Sequence, residues 1–415
     1  MSVEVAAPEQ PQATPTRLRP REWAKRNLFS TWYNSVLTLV FGGALLWGTV
    51  ALLRWVFFEA DWEIIRVNLL LFLMGRFPRD QLWRPWVATG LIAVLIGVVA
   101  GVARATAVDR TAESGLPAPR PITPQGWARR FWPVIVLVGV LLALTRTWIP
   151  AALTVGCIGA GVAAYAVGLK LPAVIRRWTW LIALALLVGI YLVLSGGGVG
   201  WEQWGGLHLN LFLTVAGILF AFPIGVLLAL ARRSTLPVVR TIAVGYIEFI
   251  RGVPLITLLF MAAFALGFLI PVNLRPGQVT RALIAITAFE AAYIAEIVRG
   301  GLQSVRRGQV EASQALGLPA WKTTRLIVLP QALRAVIPAM VGQFISLFKD
   351  TSLVTIIGLT DVLRVSTLAT TQPDFLGRGL DVITLTFIAL IFWTGAYTMS
   401  REARRLEKRL GVGER

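Results

Sequence analysis

Long apolar runs separated by short polar segments, most of them basic, dominate this chain. The runs cover 35–58, 86–103, 131–148, 151–169 and 178–194 in the first half, and 208–231, 241–270, 280–298, 335–348 and 382–399 in the second. Most are long enough to cross roughly 30 Å of hydrocarbon at about 1.5 Å per helical residue. The first run exceeds the roughly 7 to 15 residues of a signal-peptide core, and reads as an uncleaved helix. Tryptophans stand at many run ends, as interfacial anchors do. The pattern predicts an all-α integral membrane protein of about ten transmembrane helices. No internal repeat is evident.

Charge placement supplies an orientation. Arg17, Arg19, Arg21, Lys25 and Arg26 precede the first run, and Arg104, Arg110, Arg120, Arg129, Arg130, then Lys170, Arg176 and Arg177 fill alternate connections. Arg232, Arg233 and Arg240, the segment 299–334 and the tail from Arg401 continue the series. Basic loops are retained in the cytoplasm, so both termini are expected there, which requires an even number of spans. The loop 59–85, expected outside, mixes Arg66, Arg76, Arg79 and Arg84 with Glu59, Asp61, Glu63 and Asp80 and weakens the signal. Residues 1–16, rich in Pro, Gln, Ala and Thr, are too polar to bury a core and read as a disordered tail. The expected organisation is a basic cytoplasmic tail (1–33), an accessory membrane region of about five helices (34–200), a second membrane region (201–400) with a long cytoplasmic loop at 305–333, and a cytoplasmic tail (401–415).

Composition narrows the function classes. The 415 residues are 56% hydrophobic and only 15% charged, with a mean hydropathy of +0.70, whereas a soluble domain carries about a quarter charged residues. A net charge of +19 could suit nucleic acid, but the basic residues sit in short clusters between membrane runs, so no nucleic-acid partner is expected. Cys157 and His208 are the only residues of their kinds. Intramolecular disulfides are thereby excluded, and a Cys/His metal centre or a Ser-His or Cys-His couple has almost nothing to be built from. No catalytic residue, metal site or cofactor is expected. Gly97 and Gly101 give a G-x-x-x-G spacing that allows close helix approach, although a glycine-rich membrane chain produces it easily by chance.

One cytoplasmic loop is too patterned to be a plain connector: Glu311-Ala-Ser-Gln-Ala-Leu-Gly317, Leu-Pro-Ala-Trp-Lys-Thr-Thr-Arg, then Leu326-Ile-Val-Leu-Pro330. It reads as helix, turn, helix. Ala312, Ala315 and Leu316 share one face at helical spacing, Gly317 supplies a stop, Pro319 suits a first turn, and Pro330 is expected to end the second helix before the membrane. On pattern alone, such a helix either seats in a groove of another protein or merely anchors its loop at the interface.

The stretch resembles the E-A-A, Gly, I-x-L-P signature of the permease subunits of binding-protein-dependent ABC importers, at Glu311, Ala312, Gly317, Ile327, Leu329 and Pro330. Ser313 replaces the usual second alanine and is small enough to keep the face closely packed. Glu248-Phe-Ile-Arg-Gly-Val-Pro254, Ala292-Tyr-Ile-Ala-Glu-Ile-Val-Arg-Gly300 and Phe348-Lys-Asp-Thr-Ser-Leu353 look like the polar amino-acid branch of that family, including its general L-amino-acid permeases. The likeness covers about 204–399. It implies a five-helix permease core of the type I importer kind, with coupling helices that dock into an ABC ATPase dimer. The implied partners are a second permease subunit, identical or homologous, a periplasmic amino-acid-binding protein, an amino-acid substrate and membrane lipid. The implied place is the bacterial inner membrane. The region before residue 200 lies outside the five-helix core, as an extension that some permeases of this branch carry.

Gly317, Lys322 and Thr323 imitate part of a phosphate-binding loop, but Trp321 stands where that loop needs glycine. ATP hydrolysis is therefore expected in a separate subunit. The solute path is expected near Lys349, Asp350, Thr351 and Ser352, where opposite charges and hydroxyls could hold both ends of a zwitterion. Arg251 and Glu290 join them as candidates. The alternatives for the tetrad are mutual neutralisation of its charges and the start of a helix capped by Asp350 or Thr351. Glu290 and Glu296 also raise an ion-coupled secondary transporter as the rival reading, while Glu296 and Arg299 can simply pair. An intramembrane hydrolase would need an Asp pair or a metal motif that the sequence does not offer.

Overall fold

A computed structural model describes residues 19–113, 123–145, 147–196 and 200–410. The tail read at 1–16 lies outside the described residues, as do residues 197–199 of the glycine-rich stretch before the second half. The described chain is helical, and an isolated bridge between Gly206 and Asp361 is the single β feature among the described residues. It divides into two compact units, Met1–Asp61 and Trp62–Arg415.

In the first unit, α1 (Pro20–Asn27) carries Glu22 in its first turn and Lys25 and Arg26 in its last, signs that match the helix dipole. The Thr31 hydroxyl then accepts from the Asn34 N–H and starts α2 (Trp32–Arg54), which runs on through a π turn at Trp55–Glu59. No residue of α2 is buried. An apolar helix exposed on every side suits a lipid surround.

The second unit begins with α3 (Glu63–Met74), α4 (Trp83–Glu113), α5 (Pro124–Leu144), α6 (Ile149–Lys170), the short α7 (Ala173–Arg176) and α8 (Thr179–Ser195). Helices α4 and α6 touch along a glycine seam. A Cβ on Gly97 would run into the Gly161 carbonyl, and one on Gly101 into the Tyr165 carbonyl. The G-x-x-x-G spacing thus marks a real contact, because lipid offers no hydrophobic drive for association and backbone proximity must supply it. Helix α5 reaches elsewhere, pairing Arg130 with Glu402 near the end of the chain.

The remaining helices are α9 (Gly206–Arg232), α10 (Pro237–Gly252), α11 (Leu255–Phe260), α12 (Leu266–Leu269), α13 (Gln278–Ser304), α14 (Arg307–Ala315), α15 (Ala320–Thr323), α16 (Leu329–Asp350), α17 (Val362–Thr370) and α18 (Asp381–Leu410). Their core has two adjoining clusters. One gathers Leu209, Leu213, Leu259, Ile286 and Leu347; the other gathers Ala221, Ala229, Ile294, Val298, Ala332 and Met340. Small residues let α9 and α13 approach closely, so that a Cβ on Gly225 would meet Ile294 at 2.6 Å.

Seven described helices are long and apolar enough to cross a membrane, and α10 with α11 and its π turn forms an eighth, bent candidate. The 17-residue α8 and the 27-residue α13, which carries Arg281, Glu290, Glu296 and Arg299, stand outside that set; adding both to it would give about the ten expected. Three local expectations change. The run 241–270 is bent by 105°, because Pro254 follows the end of α10 and cannot continue it. The segment 59–85, read as a loop, holds α3, whose Ile64, Ile65, Leu69 and Phe72 are buried and whose Phe72 packs edge-on against Phe387. Pro330 does not end the second loop helix: it stands in the first turn of α16, and helix continues from Ala320 to Ile357 through a π turn at Thr324–Val328.

Candidate functional site: a hairpin and a polar tetrad at the two ends of one helix

The loop singled out by its pattern forms a helical hairpin. Helix α14 ends in a Schellman-like turn in which the Leu318 N–H donates to the Ser313 carbonyl at 3.1 Å. Gly317, at φ +75°, occupies the left-handed region that favours glycine. The second arm is α15 and the π turn that leads into α16. Glu311, Ala312 and Gly317 are exposed, Ile327 and Leu329 half-buried, and Pro330 exposed. The departure from the signature has a visible use: the buried Ser313 hydroxyl donates to the Val310 carbonyl at 2.7 Å and bonds the Thr323 hydroxyl at 3.0 Å. With the arms pinned from inside, Leu316 (80% exposed), Trp321 and Leu326 point outward. Large apolar side chains are thus held outward on the hairpin, available to a partner or to lipid.

The tetrad lies at the opposite end of α16. Lys349 is exposed and Asp350 half-buried; they are α16's last two residues, before a 3₁₀ turn at Thr351–Ile357. Neither Asp350 nor Thr351 caps that turn through its side chain. The Ser352 hydroxyl donates to the Lys349 carbonyl at 2.8 Å. Thr351 is fully buried, donates to the Phe348 carbonyl at 2.7 Å and accepts from the Asn210 amide at 3.2 Å. Its side chain therefore holds the site from behind, while Lys349, Asp350 and Ser352 form the accessible part.

Asn210 is the centre of that support, and the sequence reading missed it. Its amide also donates to the Asp361 carboxylate at 3.3 Å, and its carbonyl accepts from the Val362 N–H at 3.0 Å. Asp361 in turn caps α17 by accepting from the Arg364 N–H at 2.9 Å. The bonds tie the start of α9, the tetrad and the start of α17. A lone amide inside an apolar run was the available signal, since such a group needs a partner in a membrane.

Glu290 and Arg251 part company. Glu290 is fully buried and accepts from the Gln343 amide at 3.1 Å and 3.3 Å. Gln343 stands seven residues before Asp350, on the same face of α16, so Glu290 belongs to the tetrad's stripe. Arg251 instead lies 3.6 Å from Glu296 and over the ring of Tyr293. Arg232 at 2.7 Å and Arg299 at 2.8 Å complete the ring of cations around Glu296. This cluster joins the ends of α9, α10 and α13, on the side where α13 leads into the hairpin. The expected pairing of Glu296 with Arg299 is part of it.

The chain matches the family described as binding-protein-dependent transport system inner membrane component over residues 221–412. It is 36% identical to the inner membrane amino-acid ABC transporter permease protein YhdY of Escherichia coli, over 95% of this chain and 94% of that one. It is likewise 36% identical to the glutamate/glutamine/aspartate/asparagine transport system permease protein BztC of Rhodobacter capsulatus, over 94% and 93%. The probable glutamine ABC transporter permease protein GlnP of Bacillus subtilis matches half of this chain over 92% of its own length, at 34% identity. Among solved structures, a crystal structure of an amino acid ABC transporter with histidines aligns with 55% of this chain and 97% of its own, at 27% identity and a TM-score of 0.44. Similarity from end to end to ABC permeases, over both halves of the chain, sets aside the ion-coupled transporter: this protein belongs to the inner membrane permease subunits of binding-protein-dependent ABC transporters, in their amino-acid branch.

Proposed function

We propose that the chain passes amino acids, handed over by a periplasmic binding protein, into the cytoplasm of a bacterium, with ATP hydrolysed by a separate ABC ATPase dimer docked on the hairpin. A second permease subunit, identical or homologous, completes the path, and both termini face the cytoplasm. The observation that carries this reading is the sharing of one continuous helix. A pinned apolar hairpin occupies one end and a charged, hydroxyl-bearing tetrad the other, in a chain that aligns end to end with amino-acid permeases. Glu311, Ala312, Gly317, Ile327, Leu329 and Pro330 form and surround the docking surface. Lys349, Asp350 and Ser352 meet the solute, with Thr351 and Glu290 behind them. Arg251 serves the cytoplasmic ion cluster in this conformation.

The test is reconstitution in vesicles with the cognate ATPase and binding protein. Uptake is expected to need both, together with ATP, and to survive collapse of the membrane potential. Uptake without ATP would overturn the reading. Lys349→Met is expected to lower uptake or shift its preference among acidic, neutral and basic amino acids while ATPase activity and assembly persist; an unchanged profile would remove the tetrad from the path.

A further inference from the structure

We propose that a cavity between α3 and the α17–α18 connection is a second amino-acid site, built jointly by the amino-terminal region and the carboxy-terminal half. The proposal rests on the amino-acid reading above and places a site where none of the predicted path residues stands. The cavity has a volume of about 260 Å³ and is lined by Asn68, Leu71, Phe77, Arg79 and Gln372, among others. It lies at the end of the bundle away from the hairpin: α3 ends at Gly75, where an added Cβ would meet Gly205 at 2.5 Å, and the Gly206 N–H at the start of α9 donates to the Thr360 carbonyl at 2.8 Å. The other end of α9 holds Arg232 and the ion cluster.

The lining has the chemistry of a zwitterion's two ends. Arg79 is exposed to the cavity mouth and has no hydrogen-bond or ion-pair partner among the described residues, its neighbour Asp80 included. A guanidinium offers a planar fork of donors that suits a carboxylate. Across the cavity, the Gln372 amide donates to Asn68 Oδ1 at 2.7 Å, and Asn68 is itself held by donation to the Ile64 carbonyl at 3.0 Å. That chain of bonds fixes the Gln372 carboxamide and leaves its Oε1 free to accept from an ammonium group. Leu71 and Phe77 supply apolar wall for a side chain. A lipid phosphate would satisfy Arg79 but meet a carbonyl oxygen at Gln372, so the mixed lining favours a zwitterion over a pure anion.

The experiment uses the full permease–ATPase complex in nanodiscs, without binding protein or nucleotide, and measures equilibrium binding of each standard amino acid in tritiated form. Binding of at least one is expected in the wild type and in Gly139→Ala, a substitution into open space on α5. Arg79→Gln and Gln372→Met are each expected to weaken it about tenfold, the scale of one charge-assisted bond. Arg79→Lys keeps the charge and should retain most of the affinity, which a merely structural role for Arg79 would not require. An N-acetyl derivative of the bound amino acid, which lacks the ammonium, should not compete. Three results would overturn the proposal: no binding in the wild type, binding lost in Lys349→Met but untouched in Arg79→Gln, or binding abolished by phosphatidylglycerol but not phosphatidylcholine nanodiscs. An Arg79→Gln variant that binds normally yet needs more binding protein for uptake would make Arg79 a docking residue and also overturn it. ATP-dependent uptake by the wild type, measured alongside, tells a failed site from a failed importer reading.

Discussion

The Ser313 hydroxyl lies 3.0 Å from the Thr323 hydroxyl, inside the hairpin and out of reach of solvent. Ser313→Ala restores the alanine of the family signature but leaves the Thr323 hydroxyl short of this partner. A net hydrogen bond contributes about 1 kcal/mol, so the arms should loosen without coming apart. Faster amide exchange over 305–333 with most uptake retained is expected, and Thr323→Val should add little to Ser313→Ala in a double-mutant cycle. Additive effects would mean that the two hydroxyls act separately. Gly317 differs in kind: open space surrounds it, so a side chain there suffers from the backbone conformation, a strain of about 1–2 kcal/mol. Gly317→Ala should be mild, whereas Gly317→Asp also places a charge on the contact surface and should abolish ATPase co-purification and uptake, with membrane insertion intact.

The seam between α4 and α6 predicts a sharp contrast among glycines. Gly97→Ala or Gly101→Ala puts a methyl group against a carbonyl of the facing backbone and must push the helices apart. Gly139, with nothing within 4 Å, is the control. Thermal unfolding of the purified complex should fall for the first two and hold for Gly139→Ala; equal behaviour of all three would refute the seam.

Asn210→Leu keeps approximate volume while stripping bonds from Thr351, Asp361 and the Val362 N–H. Buried groups left unpaired cost about 1–3 kcal/mol each, so the variant should lose thermal stability and uptake together. Wild-type stability in that variant would show that water replaces the amide without penalty.

Arg130 and Glu402 join α5 to α18 through two hydrogen bonds, one of 3.0 Å between Nε and Oε1. Both side chains are about a quarter exposed, so solvent screening limits the pair to about 1 kcal/mol. Arg130→Glu should lower the unfolding temperature, and adding Glu402→Arg should recover most of the loss. Failure of the double variant to recover would mean that α5 is held by its aromatic contacts with Trp393 and Tyr397 instead.

Local grammar made the hairpin legible. Gly317, Pro319 and the spacing of Ala312 and Ala315 each specify conformation within a few residues, and the hairpin's shape follows from them. Most of the spans were legible for the same reason, since length and hydropathy decide them, while the short α8 and the charged α13 fall outside that criterion. Helix α3 was not, because its 12 residues are too few to span and four charges of each sign crowd the surrounding segment; only burial against Phe387 reveals it as core. The bend after Gly252 was written in Val253-Pro254 but hidden by apolar residues on both sides. Asn210 and Asp361 are 151 positions apart, a separation at which no periodicity carries information. The path candidates divided for a related reason: Arg251 and Glu290 are each a charge inside an apolar run, 241–270 and 280–298, but which cation meets which carboxylate is settled by the crossing of α10, α13 and α16.

The helix that continues from Ala320 to Ile357 has 38 residues, about 57 Å at the α-helical rise. Pro338 stands at its midpoint, where a missing N–H and a crowding ring weaken the helical bonding. Under the proposed function such a rod would act as a lever hinged near Pro338. A rocking of about 10° carries each tip through about 5 Å, comparable to the radius of a small solute. A push delivered to the tip at Ala320 would then become an opposite swing at Thr351, to the extent that the helix stays stiff at Pro338. The travel of the tetrad would be set by lever length and the stiffness at Pro338, so Pro338→Ala would change how far the tetrad moves for a given stroke without touching either end.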